Sequence, residues 1–478
     1  MGKILKLHQM LLRKEISAKE LTESYIAKVN NENPALNAYV RVTEEKALTT
    51  ADIIDRKIAG GLTLDLLSGI PMALKDNIST KGIETSCCSK ILEGYVPVYD
   101  ATTWHRLDEK GAVLLGKTNM DEFAMGCTCE TSVFGASRNP QNTGFVAGGS
   151  SGGSATAVAA DLALFSLGSD TGGSVRQPAS FCGCVGLKPT YGAVSRYGLI
   201  AYASSLDTVG VMAQNVEDTA VVFDSISGFD PMDSTSQADY VPCTVDSLEK
   251  SIKGRKIGVP KELLEKADPE VKALLLKSLE KYENLGCFVE FFSMPNLITA
   301  LPAYYIIACA EASSNLGRYD SVRFGNRAES FESIHQMICK TRGEMFGNEV
   351  KKRIMLGTFV LSDGYYDKYY AKAQRLRQCL MAEFEKVFAK YDVLITPTSP
   401  KTAFKIGQIQ NDKEASFNAD VCTVCANLAG LPALSLDCGK DEKGLPVGLQ
   451  IIGNRFRESL ILNMARQFEI ARGTESEL

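Results

Sequence analysis

The chain has 478 residues, 45% of them hydrophobic and 23% charged, with a net charge of −5: the composition of a globular protein with a sizeable core, and no electrostatic case for nucleic acid as a direct, unaided partner. Residues 1–30 carry mixed charges without the apolar run of a signal peptide, and residues 297–310, the most apolar stretch, are interrupted by Thr299 and Pro302 and fall short of the roughly 20 residues that a membrane span needs. A cytoplasmic protein with no membrane contact is expected.

Residues 1–60 read as helical. Ser17 and Glu20 form a capping box, flanked by Ile16 and Leu21, and open a helix with Leu21, Tyr25, Ile26 and Val29 on one face. A strand is expected at 38–42 after Asn33-Pro34, then a second helix over 43–59, stopped by Gly60-Gly61. Residues 68–77 read as a strand ending in Lys75. Lysine is expensive to bury, so its place at the end of an apolar run is unusual. Residues 102–110 read as a helix. Next, Gly111 to Thr118 matches the phosphate-loop pattern G-x-x-x-x-G-K-[ST]. Its middle residues, Ala-Val-Leu-Leu, are strand material rather than loop, which makes Lys117 a structural residue at a strand end and argues against nucleotide binding.

The stretch from Gly148 to Pro178 organises the rest. Gly148-Gly-Ser-Ser-Gly-Gly-Ser154 precedes a small-residue helix at 154–160, an apolar strand at 162–168 and then Asp170-Thr-Gly-Gly-Ser-Val-Arg176. Ser174 would thus follow a strand and precede a helix, a turn that presents a hydroxyl for attack and leaves the amides of Thr171, Gly172, Gly173 and Ser174 free to hold an oxyanion. No histidine lies near either serine loop, so a Ser-His-Asp arrangement has few candidates. A desolvated lysine can act as the base instead, and Lys75 is the best placed. Either Ser150 or Ser151 could bridge them.

Loops at 186–195 and 204–210 are plausible cleft walls, and 229–255 is polar and turn-rich. A strand at 256–259, a helix at 269–285, helical patterns over 296–390 and apolar strands at 392–396 and 447–452 complete the pass. The whole therefore reads as α/β. Among the fourteen cysteines, the pairs Cys127/Cys129, Cys182/Cys184 and Cys422/Cys425 have no histidine nearby, and the only three are His8, His105 and His335. Free thiols and no metal are expected.

Lys75, the Gly148–Ser154 run and the Asp170–Arg176 run together resemble the amidase signature family. The likeness extends to Asn427-Leu-Ala-Gly-Leu-Pro432 and Gly444-Leu-Pro-Val-Gly-Leu-Gln450. Met120-Asp-Glu-Phe-Ala-Met-Gly126, 319–325 and 353–362 point to that family's glutamine-hydrolysing branch, which serves tRNA-dependent amidotransferases. The resemblance implies one domain over 1–478 built on a single large mixed β-sheet with helices on both faces. Its parts would be an N-terminal helical segment at 1–60, a catalytic sheet core at 61–228 and 392–470, and a mostly helical substrate-side region at 229–391. It implies a Ser-cisSer-Lys triad in which Ser174 is the nucleophile, Ser150 the bridging serine on a cis peptide and Lys75 the base. Thr171, Gly172 and Gly173 would form the oxyanion hole, and Tyr305, Arg353 and Asp420 would hold glutamine. Asp170 and Arg176 would brace the loop. Cys127-Thr-Cys129 departs from the small Gly/Ser residues usual there, at the wall of the amide pocket.

The resemblance further implies no cofactor in this chain, with ATP and Mg used by a partner B subunit that converts Glu-tRNA(Gln) to Gln-tRNA(Gln), and a small C subunit completing a heterotrimer. The alternative within the family is a free-standing amidohydrolase acting on another small amide. A non-catalytic scaffold is disfavoured because Lys75, Ser150 and Ser174 are all present.

Overall fold

The computed structural model describes residues 2–242, 244–412 and 417–473, with backbone alone at 410 and 411. Apolar runs supply the strands, in chain order β1 (Tyr39–Val42), β2 (Pro71–Lys75), β3 (Val113–Thr118), β4 (Arg138–Asn139), β5 (Asn142–Val146), β6 (Phe165–Asp170), β7 (Val185–Lys188), β8 (Thr208–Ala213), β9 (Lys256–Pro260), β10 (Phe288–Phe292), β11 (Val393–Pro397), β12 (Ala433–Lys440) and β13 (Pro446–Gly453). Among the described residues, the α-helices of five residues or more are α1 (Lys3–Leu12), α2 (Ala18–Leu36), α3 (Glu44–Ala59), α4 (Thr102–Glu109), α5 (Gly152–Ala159), α6 (Arg176–Cys182), α7 (Val216–Ile226), α8 (Lys261–Glu265), α9 (Pro269–Asn284), α10 (Leu297–Asn315), α11 (Ile334–Met345), α12 (Asn348–Leu361), α13 (Ala371–Phe388), α14 (Val424–Ala429) and α15 (Glu458–Ala471).

Among the described residues, eleven strands form one mixed sheet in the order β1-β3-β2-β6-β8-β7-β12-β13-β11-β9-β10, and β4 pairs with β5 apart from it. The trios β3-β2-β6 and β11-β9-β10 are parallel, and the other neighbours are antiparallel. Alternation along the strands buries both faces. In β8, Val209, Val211 and Ala213 face the main core, which also takes in Leu21 and Val29 of α2, Phe223 of α7 and Phe468 of α15. The intervening Met212 packs instead with Ala155 and Val158 of α5 and Ala179 of α6. A further cluster gathers α10, α12, α13 and α14 over Leu394 and Ile452.

Several boundaries differ from the sequence expectation. The capping box at Ser17 is present, but α2 runs through Pro34 and ends at Asn37 with φ 50°. Helix α5 starts at Gly152, and Leu162 and Ala163 donate back to the Ala157 carbonyl, so these residues close the helix and β6 begins only at Phe165. The strand expected at 256–259 is β9, and the mostly helical region 229–391 lends the sheet a second strand, β10, not expected from sequence. Pro302 does not break the apolar segment, because one proline removes a single N–H and α10 continues to Asn315. With its terminal turn, residues Leu297–Arg318 are long and apolar enough to cross a membrane by length and composition, yet the helix is mostly buried inside this fold. Residues 113–118 of the phosphate-loop match are strand β3. The Lys117 amine is fully buried and donates to the Ile78 carbonyl, Thr80 Oγ1 at 3.0 Å and Thr85 Oγ1 at 3.1 Å.

Candidate active site

Parallel neighbours β2 and β6 finish side by side, which puts Lys75 at the end of one next to Ser169 near the end of the other. Lys75 is wholly buried. Its amine lies 2.7 Å from Ser150 Oγ, 2.9 Å from Ser169 Oγ and 3.3 Å from the Ser169 carbonyl. Burial pulls its pKa down to about 8, and the carboxylates of Asp121, Asp170 and Asp207 keep it from falling further. The Gly149–Ser150 peptide is cis. Ser151, the other candidate bridge, makes no hydrogen bond with the lysine among the described residues: its Oγ donates to the Ser169 carbonyl at 3.2 Å.

Ser174 lies between β6 and α6 and is 8% exposed. Its Oγ makes no hydrogen bond among the described residues, so its link to Ser150 is open here, and the two loops are tied through the Ser151 amide, 3.1 Å from the Ser174 carbonyl. The Thr171, Gly172 and Ser174 amides donate to no protein acceptor among the described residues. Gly173 departs from the expected oxyanion set, since its N–H is spent on Asp170 Oδ1 at 2.8 Å. Glycine is required at this position, for its φ is +132° and a Cβ would meet Thr423 Oγ1 at 2.3 Å. At Gly172 a Cβ would meet the Tyr304 hydroxyl at 2.5 Å.

The loop wraps the Asp170 carboxylate, which also accepts from the Val175 and Arg176 amides. Burial pushes that carboxyl up, and the Arg176 guanidinium, 2.9 Å away in a fully buried ion pair, more than offsets this and holds it below the ordinary range. Arg176 also reaches the Thr423 carbonyl at 3.1 Å, Gln450 Oε1 at 2.6 Å and Asn427 Oδ1 at 2.6 Å. Thr171 Oγ1 donates to Asp207 at 2.7 Å, and Thr423 Oγ1 to the Gly172 carbonyl at 2.6 Å.

Arg353 on α12, Tyr305 on α10 and Asp420 come together in the fold. The Arg353 guanidinium stands 5.5 Å from both the Tyr305 and Tyr202 rings, bonded to Glu349 at 2.8 Å and the Tyr202 hydroxyl at 2.6 Å. Tyr305 stacks on Phe417. The Asp420 carboxylate is 8% exposed and accepts no hydrogen bond among the described residues. Burial pushes it up to about 7 against the pull of Arg353. Cys127 lies near Asp420 and Arg353 and packs with Val146, Phe181 and Ala419, and burial pushes its thiol well up. The other pairs, Cys182/Cys184 and Cys422/Cys425, are buried free thiols, and among the described residues no cluster of His, Cys, Asp or Glu could hold a metal.

Sequence reasoning singled out neither Ser169 and Asn77 at the lysine, nor Tyr202 at Arg353, nor Asp207 and Thr423 behind the oxyanion loop. Asp207 and Asn427 fell within stretches noted only as cleft wall or family likeness. For a serine one position before Asp170, no pattern gives a signal.

The site can deliver a serine hydroxyl to an amide, with a partly neutral lysine as base and an acid and a base to grip an amino acid. Residues 20–462 match the protein family described as Amidase. The chain is 53% identical to the glutamyl-tRNA(Gln) amidotransferase A subunit of Caldanaerobacter subterraneus, over 97% of this chain and 95% of that one. It is similar to the crystal structure of the glutamyl-tRNA(Gln) amidotransferase A subunit from Thermotoga maritima, with a TM-score of 0.79 at 41% identity over 95% of this chain and 91% of that one. It also resembles the structure of a 6-aminohexanoate cyclic dimer hydrolase, with a TM-score of 0.84 at 28% identity over 98% and 96% of the two chains.

Proposed function

The chain belongs to the amidase signature family, and from that premise we propose that it is the glutaminase subunit of a tRNA-dependent amidotransferase. The observation that carries this reading within the family is the Asp420 carboxylate, buried without a donor among the described residues and close enough to Arg353 to feel its charge. A free amino acid has an ammonium for the one and a carboxylate for the other, whereas a simple aliphatic or aryl amide has neither. Full-length similarity near 50% to the A subunits of glutamyl-tRNA(Gln) amidotransferases supports the same choice.

In this reading neutral Lys75 takes the proton of Ser150 Oγ as Ser150 takes that of Ser174 Oγ, and Ser174 adds to the side-chain carbonyl carbon of glutamine. The link between the serines closes by rotation of the Ser174 hydroxyl. The developing oxyanion is held by the amides of Thr171, Gly172 and Ser174, with the loop kept in shape by Asp170 and Arg176. The protons return along the same path to the leaving nitrogen, ammonia departs, and water then releases glutamate from the ester. Tyr305, Arg353 and Asp420 hold the amino-acid end. Ammonia passes to a B subunit that carries the ATP and Mg chemistry on Glu-tRNA(Gln), with a C subunit completing the heterotrimer. The complex works in the cytoplasm.

The test is ammonia release from L-glutamine by wild type and Ser174→Ala, each alone and with the partner subunits. Wild type should release ammonia, faster with partners, and the variant should lose on the order of 10⁴-fold or more. Intact glutamine under every condition, with a simple amide cleaved through Ser174, would make the chain a free-standing amidohydrolase.

A further inference from the structure

Three acceptors surround the Lys75 amine: Ser150 Oγ, Ser169 Oγ and the Ser169 carbonyl. An ammonium has three N–H donors for them, while a neutral amine has two and a lone pair, so one neighbour must donate to it. A carbonyl cannot. Ser169 Oγ is constrained in a further way, because Asn77 Nδ2 donates to it at 2.9 Å. With one lone pair spent on Asn77, the hydroxyl keeps one lone pair and one proton. If an ammonium fills that lone pair, the Ser169 proton is left in a fully buried place with no acceptor, since Lys75 and Asn77 are the only partners of this hydroxyl among the described residues. If the amine is neutral, its lone pair takes that proton and every group is paired.

We propose that Asn77 is a positioning residue that favours the unprotonated, proton-accepting form of Lys75 by donating to the Ser169 hydroxyl that the lysine shares. The Asn77 carboxamide is 2% exposed and its Oδ1 has no partner among the described residues, where the bond to Ser169 is the one its side chain makes. The charged and titratable groups facing Lys75 are Asp121 and Cys129 from the loop after β3, Asp170 at the end of β6, Asp207 before β8 and Cys87 from the loop after β2. The carboxylates favour the ammonium, so the hydrogen-bond parity imposed by Asn77 works with burial against them.

The inference deepens the role given to Lys75 in the proposed reaction, and its test does not need that reaction. The Lys75 Cε resonance of the ¹³C-lysine-labelled full chain, assigned by its loss in Lys75→Met, is titrated in wild type, Asn77→Leu and Asn77→Asp. Leucine removes the partial positive charge of the N–H turned toward the shared hydroxyl while still giving the Ser169 proton no acceptor, and aspartate supplies that acceptor. The midpoint should rise by a few tenths of a unit in the first and by about one unit or more in the second. In glutamine hydrolysis the rising limb of kcat/KM should move by the same amount, about tenfold per unit at pH 7, with KM and the high-pH plateau kept. An unmoved or lowered midpoint in folded Asn77→Leu overturns the inference whatever glutamine does, and a limb that stays put while the plateau drops reduces Asn77 to a structural part. A raised midpoint in a chain that leaves glutamine intact both alone and with the partner subunits would instead sink the glutaminase reading and keep this one.

Discussion

Asp420 shows how a single residue can favour binding over stability. Its carboxyl titrates near 7 in the fold because burial disfavours the charge and Arg353 only partly compensates. The folded state therefore holds the proton at pH values where the unfolded chain, titrating near 3.8, has released it. The sign follows from proton counting: more protons bound folded than unfolded means that stability falls as pH rises from about 4 to about 7. Asp420→Asn removes that loss. The substrate-free variant should melt on the order of 1 °C higher than wild type at pH 7.5, with the gain vanishing near pH 4, while KM for glutamine rises about tenfold or more for want of a partner for the ammonium. Scanning calorimetry and steady-state kinetics on the same preparations read both, and a variant with lower Tm and unchanged KM would show that the carboxylate is structural. Lys75 and the serines were legible because each broke a local rule, a lysine ending an apolar strand and serines hemmed by glycines, whereas Tyr305, Arg353 and Asp420 came only from the family resemblance. Ser169, Asn77 and Tyr202 break none, and their importance comes from which side chains they touch.

At the scale of elements, the turn from β6 into α6 is held from two directions. Asp170 gathers the amides of its own loop, and Arg176 carries that loop to Gln450 on β13 and to Thr423 and Asn427, around the start of α14 and within it. The far end of α14 is fixed as well, since Arg377 donates to the Leu428 carbonyl at 2.8 Å and Arg455 to the Ala429 carbonyl at 2.9 Å, cations placed at a helix C-terminus. Asp170→Ala alone leaves a buried guanidinium without its counter-charge, and Arg176→Met alone leaves a buried carboxylate. Each should cost about 3–5 kcal/mol, and the double variant distinctly less than the sum. Denaturant unfolding of the four proteins closes the cycle, and additive costs would mean that the two charges act independently. The three variants should lose glutaminase activity, because the amides proposed to hold the oxyanion go slack. The sequence pattern located β6 to within a few residues and placed a helix after Ser174, but α14 and β13 lie 250 residues or more beyond the loop they brace, and apolar periodicity carries no record of such pairing.

For the whole molecule the question is whether residues 229–391 form a unit of their own. They follow a polar, turn-rich stretch and are expected from sequence to be a mostly helical part of a single domain, so a separable unit is the alternative to weigh. The sheet argues otherwise: β9 from this region pairs with β11 and with β10, and β11 pairs with β13, so the strand order runs from the N-terminal third through the C-terminal strands before it reaches the middle of the chain. The cluster over the site mixes α10, α12 and α13 with Met120 and Phe123 from the first half and Leu428 and Ile452 from the last. Unfolding the middle region would strip β11 of one neighbour and expose that cluster, so neither part gains by melting first. Thermal unfolding should therefore give one transition, coincident in far-UV circular dichroism and in the fluorescence of Trp104, which lies outside the region, buried in the main core. Limited proteolysis just below the midpoint should cut 229–391 no sooner than 61–228. Two resolved transitions, the earlier one silent at Trp104, would show that the middle region folds as a domain in its own right and that the pairing of β9 with β11 is only a weak seam.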